Sequence, residues 1–138
     1  MAIHGGVLRM DTPGNGAIVD LTEGVRRVVR TAEVHRGLVT VFATGSTVAV
    51  TTMEYEPGGV SDLQALLDRL ISPHVDYEHN RLNHDTNAHA HLRAAVIGPS
   101  ETIPLVDGAL ALGTWQQIVL LDFDDRPRTR TVTVQIAS

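Results

Sequence analysis

The chain has 138 residues, a formal charge of -5, 43% hydrophobic and 20% charged residues, and no cysteine. One hydrophobic core suffices at this length, and an acidic balance with 4% aromatics excludes a phosphate-tracking, base-stacking nucleic-acid surface. Without cysteine there is no disulfide, thiolate metal site or cysteine nucleophile, so chemistry falls to His, Asp, Glu and amide groups.

No apolar run approaches the ~20 residues that span a bilayer. The start, with His4, Gly5 and Gly6, lacks the basic and apolar regions of a signal peptide. A cytoplasmic protein without membrane contact is expected. In chain order, a strand over Ile3 to Met10 meets the turn signal Asp11 to Gly16, and the extended stretch Ala17 to Val19 predicts a hairpin with it. Asp20 or Thr22 then caps a helix whose Val25, Val28, Val29 and Ala32 oppose Glu23, Arg26, Arg27 and Arg30, with Gly37 marking its end. Leu38 to Phe42 and Thr47 to Met53 are rich in β-branched residues and flank Thr44, Gly45 and Ser46, which predicts a second antiparallel pair.

Pro57, Gly58 and Gly59 read as a break, after which Ser61 or Asp62 caps a helix carrying Leu63, Leu66, Leu67, Leu70 and Ile71 as far as Pro73. This helix should cover a sheet. A polar stretch from His74 to Asn87 leads into an Ala-rich helix over Ala88 to Ile97, closed by Gly98 and Pro99. Strands are expected at Thr102 to Val106, Leu110 to Phe123 and Arg128 to Ile136, the last alternating Thr131 and Thr133 with Val132, Val134 and Ile136. This order lacks the regular βαβ alternation of a doubly wound sheet. The expected class is α+β: one compact domain over 1–138, with a mainly antiparallel or mixed sheet covered by helices.

Five of the seven histidines, His74, His79, His84, His89 and His91, fall within residues 74 to 91, among Asp76, Glu78, Asp85, Asn80, Asn83 and Asn87. Neutral imidazole ligates zinc-like ions and also moves protons near neutral pH, so both chemistries are open. Intervals of five residues step about 140° around a helix, so the rings converge only if the loop folds back. Asn87 and His91 share a face if a helix begins near Thr86. The competing reading is a solvated loop with ordinary capping by Asp85, Thr86 or Asn87. No HExxH pattern is present, and local spacing identifies no Ser-His-Asp arrangement.

Downstream, Ser100, Ile103, Leu105, Gly108, Gly113, Thr114, Trp115, Gln116 and Ile118 have the spacing of the YjbQ-family signature. Gly37 to Phe42, Thr47, Thr51, Glu54, His79, Asn80, Asp85, Asn87 and the run Ala90, His91, Leu92 extend the likeness. So do Pro104, Asp107 and Arg126 to Arg128, and the chain therefore resembles this family over most of its length. The resemblance implies a homotrimer with polar pockets near subunit boundaries. It also implies a secondary thiamine-phosphate synthase activity on phosphorylated small molecules, joining a pyrimidine diphosphate to a thiazole phosphate with release of pyrophosphate.

By the same resemblance His91, Asn87 and Glu54 form the catalytic set, and His79, His84 and His91 the ligands of a divalent metal, zinc or magnesium. Relatives carry a His in a His-Thr-Thr-like run where this chain has Gly45, and His84 or His89 is the candidate to compensate. Met53 replaces a common Asn, and His89 a common Pro. The departure at Gly45 sustains a second reading, a non-catalytic trimer that binds a metabolite or metal. Trp115 is expected to anchor the core, Gln116 to satisfy a buried partner, and Arg126, Pro127 and Arg128 to form a charged hairpin.

Overall fold

In the computed structural model of the protein, which describes residues 1–138, buried and exposed side chains alternate along most strands, and eight strands sort into two antiparallel sheets. The larger sheet holds, in spatial order, β1 (Ile3–Thr12), β8 (Arg128–Ala137), β3 (Gly37–Thr44), β5 (Ser100–Val106) and β6 (Ala109–Leu110). The smaller places β7 (Gln117–Asp122) between β2 (Ala17–Asp20) and β4 (Val48–Met53). Four helices complete the α+β fold: α1 (Thr22–Ala32), α2 (Pro57–Leu70), α3 (Glu78–Asn83) and α4 (Ala88–Ile97). None of them is long and apolar enough to cross a membrane.

Neither of the two expected early hairpins forms. β1 pairs with β8 while β2 pairs with β7, and β3 pairs with β5 and β8 while β4 pairs with β7, so each turn carries the chain from one sheet to the other. The reason lies in where the turn backbones bond. Asn15 and Gly16 donate to the carbonyls of Asp124 and Asp122, and the Thr47 carbonyl accepts from the Phe123 amide. Both turns thus fasten to the end of β7, which satisfies backbone groups that would otherwise be buried unpaired.

The Pro57, Gly58, Gly59 stretch is the first turn of α2 rather than a break. Glu56 caps that helix, its carboxylate accepting from the amides of Gly58 and Gly59, and Pro57 loses nothing at a position whose N–H has no helical partner. The strand expected over Leu110 to Phe123 splits into β6 and β7.

Two apolar clusters explain the layering. One, containing Val25, Val29, Val39, Val41, Ile118, Leu120, Val134 and Ile136, fills the space between the sheets and α1. The other, containing Ala49, Leu67, Ala90, Ala94, Val119, Leu121 and Phe123, sits between the small sheet and helices α2 and α4. β7 contributes to both, which is why Ile118 to Leu121 reads as an unbroken apolar run instead of alternating.

Where β7 ends, a buried polar network ties the sheets together. Asp122 accepts from Arg130 Nε at 2.7 Å and Nη2 at 2.8 Å, and from the Thr12 hydroxyl. Arg130 Nη2 also donates to Thr47 Oγ1 at 2.8 Å, and Thr47 in turn donates to Asp124. Burial alone would raise the Asp124 carboxyl. The hydrogen bond and charge of Arg128, with bonds from the Asp125 amide and Thr47, outweigh that and hold it below the usual carboxylate range.

Asp122→Ala leaves the buried Arg130 guanidinium without its carboxylate and should cost about 3 to 5 kcal/mol in urea unfolding; a loss below about 1 kcal/mol would contradict the network's structural role. Because the folded Asp124 value is depressed, its contribution is complete above the unfolded value of about 3.9 and disappears as pH falls through the folded one. Asp124→Asn should therefore lower stability at pH 7 and flatten its decline below about pH 4. An unchanged acid slope in thermal melts would refute this.

Candidate functional site

α3 condenses out of the polar stretch that precedes α4, and the two helices are stitched by side chains. Asn80, on α3, accepts from the amide of Ala88 at 3.0 Å, and the Asn87 carbonyl accepts from the amides of Ala90 and His91. The α3 C-cap is His84, in the left-handed conformation at φ 50°, and this reverses the chain into α4. The fold-back brings His79, Asn87 and His91 together. His79 Nε2 lies 3.1 Å from Asn87 Oδ1, and the His79 and His91 rings stand 4.8 Å apart between centroids, tilted by 56°. Asn87 is buried beneath two half-buried rings, and Asp85 Oδ2 is 3.9 Å from His79 Nε2.

An amide oxygen can only accept, so His79 donates from Nε2 and keeps its lone pair on Nδ1, which Asn83 Nδ2 approaches at 3.5 Å. The cluster can therefore present imidazole N–H donors to an anionic oxygen and exchange protons with it. A metal on His79 Nε2 would have to displace Asn87. His84 is exposed at its cap and does not join the pair, and no group of three His, Asp or Glu side chains is arranged to hold a metal ion. Gly45 supplies nothing to replace the missing imidazole. Its φ of 151° favours glycine, and a Cβ there would fall 2.9 Å from Val48 Cγ1 and 3.0 Å from Arg130 Nη1. The residues of one chain do not fit the expected resident metal.

Glu54 lies apart from this cluster. β4 and β7 run antiparallel with Val48 opposite Asp122 and Met53 opposite Gln117. The Thr86 hydroxyl donates to Asp125, which ties the start of α4 to the Asp122 end. Glu54 follows Met53 at the other end, roughly 20 Å away at about 3.3 Å per strand residue. There it lines a recess of about 370 Å³ with Arg26, Tyr55 and Trp115.

Trp115 is 73% exposed, so the expected core anchor is instead a surface indole. Gln116 is exposed too, linking the Gly113 amide to the Thr52 hydroxyl, while the neighbouring Gln117 accepts from the Tyr55 amide. Arg128 is spoken for by Asp124, 2.5 Å from its Nε.

His89 stands two residues before His91 and so projects from nearly the opposite side of α4. It is buried, its Nδ1 has no partner, and burial followed by the charge of Arg93 lowers its pKa. Sequence reasoning missed Arg93. Its Nε and Nη2 donate to the Ile71 carbonyl at 3.1 and 2.8 Å, and Nη2 donates to Asp68 at 3.0 Å, which fastens the end of α2 beneath the histidine segment. The available signal was an arginine inside an otherwise apolar helix run.

Comparison with known proteins places the cluster in context. A family model described as UPF0047 protein YjbQ-like matches residues 7–138. The UPF0047 protein of Archaeoglobus fulgidus is 40% identical over 128 residues, covering 93% of this chain and 97% of the relative. The UPF0047 protein of Methanothermobacter thermautotrophicus is 33% identical over 137 residues, covering 99% and 94%. Among solved structures, the hypothetical protein APE1520 from Aeropyrum pernix K1 superposes with a TM-score of 0.91 at 35% identity, over 100% of this chain and 99% of its own. A YbjQ-like protein of unknown function (SSO2532) from Sulfolobus solfataricus gives 0.88 at 29% identity, over 98% of each chain.

The Asn87 contact fixes which ring nitrogen of His79 carries the proton. Nitrogen chemical shifts of the imidazoles should show the Nε2–H form in the neutral protein and a loss of that preference in Asn87→Ala. A dominant Nδ1–H form in the unmutated protein would contradict the geometry.

Proposed function

Because the chain belongs to the YjbQ/UPF0047 family, we propose that it acts in the cytoplasm on a phosphorylated small molecule at the His79, Asn87 and His91 cluster, by a reaction of the secondary thiamine-phosphate synthase type. The observation that carries this reading is the meeting of two imidazoles over a buried amide. In the reaction, the thiazole ring nitrogen attacks the methylene carbon of the pyrimidine diphosphate. The carbon–oxygen bond breaks, and its electron pair leaves on pyrophosphate. Imidazole N–H groups of His91 and His79 stabilise charge on the departing oxygens, and Asn87 holds His79 in the donor-ready orientation. A divalent cation, zinc or magnesium, enters in this reading with the diphosphate that chelates it, and no step passes through a protein-held metal. The assembly is a homotrimer. Glu54, at the far end of β4, joins the cluster in this reading only when another copy supplies it.

A second reading is favoured by Gly45 and by the lack of a three-ligand group: a non-catalytic trimer that binds the same class of metabolite.

Purified protein from a host lacking its own thiamine-phosphate synthase should form thiamine phosphate from the two precursors. His91→Ala should reduce turnover about 100-fold or more while leaving the circular dichroism unchanged. Equal rates in the two proteins would overturn the assignment of the site. Absence of turnover together with saturable calorimetric binding of pyrophosphate or thiamine phosphate would establish the second reading instead.

A further inference from the structure

The larger sheet has one face against the core and one that no helix covers. Across β1, β8, β3 and β5 the outward residues align in three successive rows, centred on Ala137 opposite Leu38, Gln135 opposite Thr40, and Thr133 opposite Phe42. Read across the strands, the rows are Ile, Ala, Leu, Pro; then Gly, Gln, Thr, Thr; then Val, Thr, Phe, Ser. None of these positions is charged, although charged residues make up 20% of the chain. Leu38 is 52% exposed and Phe42 43%. The solvated face of an antiparallel sheet ordinarily collects polar and charged side chains. Depletion of charge with retention of apolar and hydroxyl groups marks instead the centre of a protein interface. With strands about 4.8 Å apart and about 3.4 Å per residue, the rows cover on the order of 400 Å², the size at which a surface patch is commonly functional.

We propose that copies of this chain pack on one another through this uncharged sheet face. The occupant follows from charge. Two copies that each carry -5 repel over most of their surface, and here they approach without bringing like charges together. At the edge of the face Arg9 and Asp11 project from β1, opposite Thr131 and Thr129, so a symmetric contact sets one sign against the other. The proposal rests on the assembly named in the preceding reading and adds to it the surface that forms it.

Light scattering coupled to size-exclusion chromatography at about 100 µM should give a multimer for the unmodified protein and a monomer for Phe42→Glu combined with Thr133→Glu. Leu82→Glu, on the exposed side of α3, should leave the multimer intact. A monomeric unmodified protein would overturn both the face and the assembly. A multimer that survives the double substitution would overturn the face alone. If the double variant fails to fold, hydroxyl-radical footprinting of the unmodified protein decides: Leu38 and Phe42 should be modified at least fivefold less than Leu82, and comparable modification would overturn the proposal.

Discussion

The pairing of Asp122 with Arg130 is the constraint on which the rest of the architecture hangs. A carboxylate and a guanidinium, both withdrawn from water, are tolerable only when each is met in full. Meeting them recruits Thr12 from β1, Thr47 from the approach to β4, and Arg130 from β8. The network therefore sets where both sheets end and where the two crossing turns dock. Those turns were expected to close hairpins because local signals such as Pro13-Gly14-Asn15-Gly16 specify a reversal, and a reversal does occur. The signals do not specify which strand lies beyond it. That choice is made by β7, whose two covered faces and polar terminus outbid the local partner.

The same logic separates what could be read in the sequence from what could not. α4 and β8 fell where their patterns placed them, because each buries a single apolar face and is bounded by Gly98 or by the Asp125 to Pro127 turn. α2 began earlier than expected, since Pro-Gly-Gly resembles a break until a carboxylate is found in position to cap it. Trp115 was misplaced for a plainer reason: a lone indole in a short segment carries no periodicity, and its size argues for burial whenever nothing else is known.

Within the candidate site, the meeting of His79 with Asn87 and His91 required a fold-back that five-residue spacing allows but does not dictate. The hinge is His84, whose left-handed backbone and cap position give it a conformational part. α4 then divides its histidines between two environments. His91 shares a partly open cluster with His79, where protonation and hydrogen bonding are available to a visiting anion. His89 is held neutral by burial and by Arg93, on the side that locks α2 in place. One helix thus serves both as a wall of the site and as a clamp on the scaffold.

β8 comes last in the chain, yet it lies between β1 and β3 and delivers Arg130 to the network. While the polypeptide is being synthesised, the first strand has no neighbour, and Asp122 has no counterion, until the final twenty or so residues clear the ribosome. Non-local pairing of this kind delays folding. A nascent chain of this protein must therefore leave the ribosome with its larger sheet unformed, and the uncharged strands that will build it stay open to chaperones until translation is complete.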